Sequence, residues 1–408
     1  MIKRPELLAP AGDRERFDSA LAAGADAIYV GSTMFSMRAA PKNFDFTELA
    51  EICSLAHAKG VKIYLTLNTL PKNGEIPRLP DYIKATAEAG VDAFIAADIG
   101  VMSLCKKHAP EVDLHISTQA GVVNYLSANE FYNLGAKRIV TARELSLDEI
   151  AELRAKTPKE LEIECFVHGA MCVSFSGRCL ISNYLVGRDA NRGECAQPCR
   201  WEYYLMQKDR QGSFFPVEQN QNGTYILNSK DMCMIEHIPD LVKAGVDSFK
   251  IEGRAKSAYY TAVITNAYRC AIDGYLKNPS EDYIPEQWII DETRKVSYRE
   301  YGTGFYYEAP IVNANVSYEG GYRREWDVMA VVEKCEGGYI YCEQRNKFSV
   351  VEELEALEFG VKPQTFTVKE IFDSDGNSIE STPHPMMKLK IRSDLNLKSG
   401  ALLRRQSK

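Results

Sequence analysis

The sequence predicts an α/β fold: a (β/α)8 barrel of the TIM type, followed by a small C-terminal β-barrel-like domain. Three observations carry this reading. A short helix–glycine–strand phrase recurs along the chain, eight β-rich runs fall within about the first 280 residues, and the composition then changes to short β runs separated by turn signals.

The phrase appears at 22–30 as Ala-Ala-Gly-Ala-Asp-Ala-Ile-Tyr-Val and at 88–96 as Glu-Ala-Gly-Val-Asp-Ala-Phe-Ile-Ala. It returns at 133–141 and 243–251, with a weaker copy at 59–64. Each copy ends a helix at a glycine, which takes a positive φ without steric cost. Helix followed by strand, repeated, implies parallel strands joined by crossover helices. The expected strands are 6–11, 27–31, 62–68, 93–98, 113–119, 138–144, 161–168 and 248–254. Expected helices include 47–59, 79–89, 125–134 and 257–276. An open doubly wound sheet is the competing arrangement. The count of eight and the lack of a Gly-x-Gly-x-x-Gly after any strand favour the barrel.

The spacing breaks once, between the seventh and eighth strands, where an insertion spans about 170–235. In a barrel it emerges at the C-terminal mouth, where active sites sit. The barrel domain is expected over 1–280. The remainder, 281–408, is expected to hold a linker helix near 285–298 and an all-β domain, with strands near 327–334, 338–343, 364–372 and 387–392. The end of that domain carries Lys388, Lys390, Arg392, Lys398, Arg404, Arg405 and Lys408 against Asp394 alone. Such a run is either a contact for RNA or a solvated surface.

The chain has 408 residues and a formal net charge of −7, which argues against a protein coated in positive charge for nucleic acid. No apolar run is long enough for a bilayer, and the N-terminus leads straight into a strand-like segment. A cytoplasmic location with no membrane partner follows as an expectation. Eleven cysteines in that reducing setting do not imply a disulfide framework. Four of them, Cys172, Cys179, Cys195 and Cys199, lie within the insertion in a C-x6-C-x15-C-x3-C pattern. Clustered thiolates bind soft metals, and this spacing leaves zinc and an iron–sulfur cluster both open.

Strand alternation places a second set of residues at the mouth. Asn68, Asp98, Gln119, Arg143, His168, Glu252 and Arg254 stand at the C-terminal ends of strands and are expected to face inward. Arg143 and Arg254 carry guanidinium forks suited to carboxylates or phosphates, with Asn68 and Gln119 beside them as substrate-binding groups. His168, Glu252 and Asp98 are the candidates for acid–base work. Deeper in the barrel, Glu164 or Glu252 is expected to pair with Lys250, because a buried charge needs a partner.

Residues 164–182 contain Glu164, Phe166, Gly169, Cys172, Gly177, Cys179 and Ser182 in an order that resembles the signature of the U32 collagenase-like peptidase family. Gln197-Pro198-Cys199-Arg200 and Phe249-Lys250-Ile251-Glu252-Gly253-Arg254 also look like that family, and the resemblance spans nearly the whole chain. Some members are named proteases. Others, the tRNA hydroxylation protein P branch, support 5-hydroxyuridine formation at the tRNA wobble position, and the chain is most similar to these. The resemblance implies a [4Fe–4S] cluster on the four cysteines, with zinc as the alternative. It also implies tRNA, recognised at its anticodon loop, as substrate, prephenate or a similar small dicarboxylic acid as co-substrate, and a paralogous subunit as a conceivable partner. The residues themselves speak against a hydrolase, since neither His-Glu-x-x-His nor Gly-x-Ser-x-Gly occurs. A nucleophilic Cys172 paired with His168 is the remaining hydrolytic option.

Overall fold

The computed structural model describes residues 3–36, 42–172, 174, 179–190, 193–201, 219–220, 223–224, 229–307 and 322–407. The barrel begins with β1 (Glu6–Ala11), α1 (Arg14–Ala22), β2 (Ala27–Val30), α2 (Phe46–His57), β3 (Lys62–Leu67), α3 (Leu79–Glu88), β4 (Ala93–Ala96) and α4 (Ile99–His108). It continues with β5 (Asp113–Ile116), α5 (Tyr125–Asn133), β6 (Arg138–Val140), α6 (Leu147–Ala155) and β7 (Glu162–Ala170). Within the insertion lie α7 (Ile181–Val186), the short strands β8 (Gln219–Asn220) and β9 (Gly223–Thr224), and β10 (Asp231–Cys233). Then come α8 (Ile238–Lys243), β11 (Ser248–Ile251) and α9 (Ala258–Lys277). β11 pairs in parallel with both β1 and β7, so the eight parallel strands close into the expected barrel.

The repeated phrase has a concrete structural use. Gly24, Gly60, Gly90, Gly135 and Gly245 all have positive φ and end their helices. In three copies the aspartate two residues on bonds the neighbouring strand twice. Its N–H donates to a carbonyl, and its carboxylate accepts that same residue's N–H. Asp26 does this with Leu7, Asp92 with Ile63 and Asp247 with Ile163. These aspartates satisfy strand-edge donors that would otherwise be lost at the bottom of the barrel. The copy at 133–141 has Lys137 there and keeps only the backbone bond, to Leu114.

The barrel interior is only partly apolar. Leu8, Ala27, Tyr29, Tyr64, Ala93 and Ile95 fill one part. The other part is an ionic network. Arg138 donates to Glu6 at 2.6 Å, to Glu164 at 2.9 Å and to Glu162 at 2.7 Å. Lys250 reaches the other oxygen of Glu164 at 2.6 Å, and Ser248 donates to Glu6 at 2.9 Å. Arg138, Glu164 and Lys250 are all buried. Burial pushes Lys250 below the ordinary lysine range, against the opposing pull of Glu164. Of the two partners expected for Lys250, Glu164 is the one it pairs with, inside a larger cluster.

β7 has nine residues and runs past the barrel rim. There β10 returns antiparallel along it, pairing Asp231 with Ala170 and Cys233 with His168. β12 (Tyr301–Gly302) joins β10 on its outer side. Asp231 and Arg299, both buried, lock this extension: Arg299 Nε and Nη2 donate to Asp231 Oδ1 at 2.9 and 2.5 Å.

The helix expected near 285–298 is shorter, α10 (Gln287–Glu292). The C-terminal domain is one curled antiparallel sheet of β13 (Trp326–Glu336), β14 (Tyr339–Gln344), β15 (Glu353–Leu357), β16 (Gln364–Thr367), β17 (Ile371–Asp373), β18 (Ser378–Ile379), β19 (Lys388–Arg392) and β20 (Leu402–Gln406), in spatial order β16-β15-β20-β13-β14-β19-β17-β18. Gly337 and Gly338, both at positive φ, make the two-residue turn between β13 and β14. The single run expected at 364–372 divides into β16 and β17.

The basic run at the chain's end does not form a bare cationic patch. Lys388 pairs with Glu333 and Glu343, Arg392 with Glu370, Lys398 with Glu358 and Arg405 with Glu352. Lys390 lies over the rings of Tyr339 and Phe372. Arg404 is fully buried and donates to Glu292 of α10 at 2.6 Å and to Glu355 at 2.8 Å. Lys295 bonds both Glu355 oxygens at 2.9 Å. That cluster clamps the β domain onto the helices that follow the barrel. Lys408 lies outside the described residues.

Replacing Arg138 with Met strands three carboxylates in or at the edge of the barrel interior. We expect Arg138→Met to lose about 3–5 kcal/mol of stability in urea unfolding at pH 7. The deficit should shrink in Arg138→Met/Glu164→Gln, which also removes the deepest stranded charge.

Candidate active site at the barrel mouth

The mouth is built where β11, β6 and β3 end. Arg254 follows β11, is buried, and reaches across the barrel. Its Nη1 donates to Ser36 Oγ at 2.7 Å and to Thr66 Oγ1 at 2.9 Å. The two hydroxyls also bond each other at 2.9 Å, and Thr66 donates to the Val30 carbonyl at 3.0 Å. The guanidinium lies so close to the backbone after β2 that a Cβ on Gly31 would collide with Arg254 Nη1 and Ser36 Oγ. Gly31 is thus required by close approach rather than by its φ.

Arg143 sits beyond β6 and swings over the rim. Its Nη1 donates to the Ala170 carbonyl at 3.1 Å, and its Nη2 stands 3.4 Å from Glu252 Oε2. The guanidinium stacks 3.8 Å from the centre of the Phe166 ring. Its Nε is buried with no hydrogen-bond partner among the described residues. A buried N–H left unmade costs about 1–3 kcal/mol. A ligand acceptor would recover it. Glu252 is held through its backbone, donating to the His168 carbonyl at 2.9 Å and accepting from Tyr260 Oη at 3.1 Å. Arg143, Glu252 and Arg254 are therefore the mouth residues that the fold brings to charged or polar partners.

Three other expected mouth residues lie in the turns that follow β3, β4 and β5. Asp98 is the N-cap of α4 and accepts from Val101 N at 3.0 Å. Gln119 lies in the single turn Thr118–Ala120, its N–H bonded to Ser117 Oγ at 3.3 Å. Asn68 is the first residue past β3 and is half-buried. β4, β5 and β6 stop at Ala96, Ile116 and Val140, so alternation does not fix the facing of the residues beyond them. The period of two holds only while the chain stays extended. Thr141, just past β6, lies 3.3 Å from the Cys165 thiol.

His168 departs furthest from expectation. A register shift beside Ile251 turns it out of the barrel. Its ring packs against Tyr260, Tyr268 and Tyr301, with Tyr268 Oη 3.4 Å from Nδ1 and Tyr301 Oη 3.4 Å from Nε2. Burial pushes its pKa down to about 3, outweighing the opposing charge of Asp231. A histidine so held is neutral at physiological pH and buttresses β7 rather than donating protons at the mouth. Sequence inspection missed Ser36, Gly31 and Tyr260. Only the small residues after β2 hinted at a close approach there.

Among the four clustered cysteines, Cys172 is exposed and the others are half-buried. Cys195 Sγ accepts the N–H of Gln197 at 3.3 Å, while Gln197 takes a left-handed φ of 57°. Ser182 of α7 accepts the N–H of Ala196 at 3.0 Å, which fixes this loop against the helix. Cys199 lies in the turn Pro198–Arg200. Gly177 and Arg178 of the motif lie outside the described residues. Among the described residues, no group of three or more His, Cys, Asp or Glu side chains is set to hold a metal ion. The donor chemistry still fits a soft metal: four thiols in one segment, one already accepting an N–H···S bond, and no disulfide among the described cysteines. By contrast, burial pushes the thiols of Cys53, Cys105 and Cys165 up to about 12 and those of Cys233 and Cys270 up to about 11. These are core residues, disfavoured as thiolates.

A cavity of about 790 Å3 lies at the opposite end of the barrel, bordered by Lys3, Arg154 and Asp247. It is far from these groups, on the face that in such barrels serves stability.

Residues 12–315 match the model of peptidase family U32, and residues 324–404 match that of the peptidase family U32 C-terminal domain. The chain belongs to peptidase family U32. It is 35% identical to "tRNA hydroxylation protein P1" of Bacillus subtilis, over 99% of this chain and 96% of that protein. It is 39% identical to "23S rRNA 5-hydroxycytidine C2501 synthase" of Escherichia coli, over 72% of this chain and 44% of that protein. It is 42% identical to an uncharacterized protease of Methanocaldococcus jannaschii, over 78% of this chain and 77% of that protein. No helix among the described residues is long and apolar enough to cross a membrane.

The depressed pKa of His168 fixes a pH dependence. The unfolded chain binds this proton near pH 6.5, whereas the folded protein resists it until about pH 3. The stability that His168 supports is therefore full above pH 6.5 and is lost as pH falls toward 3. The limiting slope is about 1.4 kcal/mol per pH unit. In urea unfolding between pH 6.5 and 5, His168→Gln should show a shallower fall than wild type, by close to that slope. Equal slopes would place His168 in a more open setting.

Proposed function

We propose that this U32 protein is an RNA-hydroxylating enzyme acting on the wobble uridine of tRNA, where it installs 5-hydroxyuridine. The observation that carries the reading is the full-length similarity, across barrel and β domain together, to a protein named for tRNA hydroxylation. The relative named for rRNA hydroxycytidine synthesis supports the broader class of RNA hydroxylation.

Cys172, Cys179, Cys195 and Cys199 would hold a [4Fe–4S] cluster. Bound there, it supplies one-electron chemistry, which suits an oxidation of a C–H bond better than peptide hydrolysis. Arg143 and Arg254 bind a small dicarboxylic acid such as prephenate. Arg143 offers its unsatisfied Nε, and Arg254 is held by two hydroxyls. A carboxylate docking against either guanidinium gains charge-assisted bonds in a site largely shielded from water. Glu252, beside Arg143, is the group placed to take or return a proton at the mouth. An anticodon-loop base is already single-stranded and leaves its stack at small cost.

The name of the archaeal relative raises the hydrolase reading. Its catalytic pair would be Cys172 and His168. The contacts of His168 are to tyrosines, and its buried ring is neutral, which disfavours a thiolate–imidazolium pair.

Three outcomes are expected. Protein purified without oxygen should be brown and carry iron and sulfide, and Cys179→Ala or Cys195→Ala should bleach it; stoichiometric zinc without iron would overturn the cluster assignment. Arg143→Ala and Arg254→Ala should keep the cluster and lower RNA hydroxylation by about 10- to 100-fold, the worth of one charge-assisted bond. Deleting the gene with its paralogues should remove 5-hydroxyuridine and its derivatives from tRNA nucleosides measured by mass spectrometry. A strain that keeps them, with purified protein that cleaves gelatin, would favour the hydrolase.

A further inference from the structure

We propose that the crevice between the β11–α9 loop and the start of β13 is a stacking site for an unpaired RNA base, next to the one that enters the mouth. The proposal rests on the RNA reading above and specifies where the RNA is gripped. The crevice encloses about 420 Å3 and is lined by Lys256, Tyr259, Tyr260, Tyr322, Arg324 and Trp326, with four smaller neighbours. Among the described residues no Asp or Glu lines it, on a chain whose net charge is −7.

Arg324 Nη2 donates to Asp327 Oδ1 at 2.9 Å and Lys256 Nζ to the Ser297 carbonyl at 3.3 Å, so both cations are positioned at the crevice. Lys256 Nζ lies 4.1 Å from the centre of the Tyr322 ring and 5.2 Å from that of Tyr260. Tyr322 is 46% exposed, and the Arg324 side chain is 64% exposed. Aromatic faces beside cations are the usual grip on single-stranded nucleic acid. Each stacked base is worth about 1–3 kcal/mol, and every base offers a π-face. A protein partner would meet such a surface with carboxylates alone, whereas a single-stranded nucleic acid meets it with base faces and regularly spaced phosphates together.

The location links the crevice to the mouth. Ala255 and Lys256, on its wall, directly follow Arg254. Tyr260, another wall residue, holds the Glu252 carbonyl through its hydroxyl. A nucleotide stacked in the crevice therefore leaves its neighbour at the rim that carries Arg143, Glu252 and Arg254. Most of the basic end of the chain is paired with carboxylates. Arg324 also has a carboxylate partner, Asp327 at 2.9 Å, but its side chain remains 64% exposed at the crevice.

The test uses full-length, cluster-loaded protein and a fluorescently labelled anticodon stem–loop RNA, read by anisotropy over a series of salt concentrations. Tyr322→Ala should weaken binding about tenfold without changing the salt slope, and Tyr322→Phe should bind as wild type. Arg324→Ala should weaken binding and lower the salt slope by about one. Iron content and melting temperature serve as folding controls. Should Tyr322→Ala fail to fold, the exposed Arg324 carries the test alone. Wild-type protein that binds no RNA defeats the functional reading and this proposal together. Wild-type protein that binds RNA, with properly folded variants that bind it equally well at the same salt slope, defeats only the crevice.

Discussion

The ionic network inside the barrel is the constraint on which the rest of the structure depends. Glu6, Arg138, Glu164 and Lys250 come from β1, β6, β7 and β11. Those strands flank the closure of the barrel, the one place where the chain is interrupted by a long insertion. Burying a charge without its partner costs several kcal/mol, so any slipped register at this seam would strand at least one ion. An apolar interior would hold the seam with less specificity, because branched side chains tolerate rearrangement. The network is thus a device for register, at a point where connectivity does little to enforce it.

From that fixed layer the mouth follows by alternation along β11 and its extension. Lys250 lies in the network, Glu252 stands at the rim, and Arg254 reaches over the opening. The register shift beside Ile251 lets β7 overrun the barrel and turns His168 outward. The overrun gives β10 a strand to pair with, and the buried Asp231–Arg299 pair holds that return in place. The cysteine segment is therefore tethered at both ends to the rim: at one end by β7, at the other by β10.

The β domain is coupled to this assembly by charge rather than by a broad apolar contact alone. Arg404 and Lys295 share Glu292 and Glu355, and Trp326 lies against both cations. That clamp sets the start of β13 beside the β11–α9 loop, which creates the crevice lined by Tyr322 and Trp326. A basic sequence that reads as a nucleic-acid tail is mostly structural here. The aromatic and basic lining of the crevice is assembled from segments more than sixty positions apart.

The sequence by itself determined the barrel, its eight strands, the place of the insertion and the four-cysteine motif. Those features rest on local rules: glycine at helix ends, β-rich runs after them, and thiols close in the chain. It also required a carboxylate partner for Lys250, either Glu164 or Glu252, and the fold chose Glu164. Only the tertiary structure decided which mouth residues come together. Asp98 serves as the N-cap of α4 and Gln119 lies in a turn capped by Ser117, because their strands stop short of them. His168 left the mouth because a one-residue irregularity reverses the facing of everything beyond it. Ser36 and Thr66 came to hold Arg254, with Gly31 leaving room for it, through contacts spanning 218 and 188 residues. No periodicity records such a contact, since it exists only once the barrel has closed.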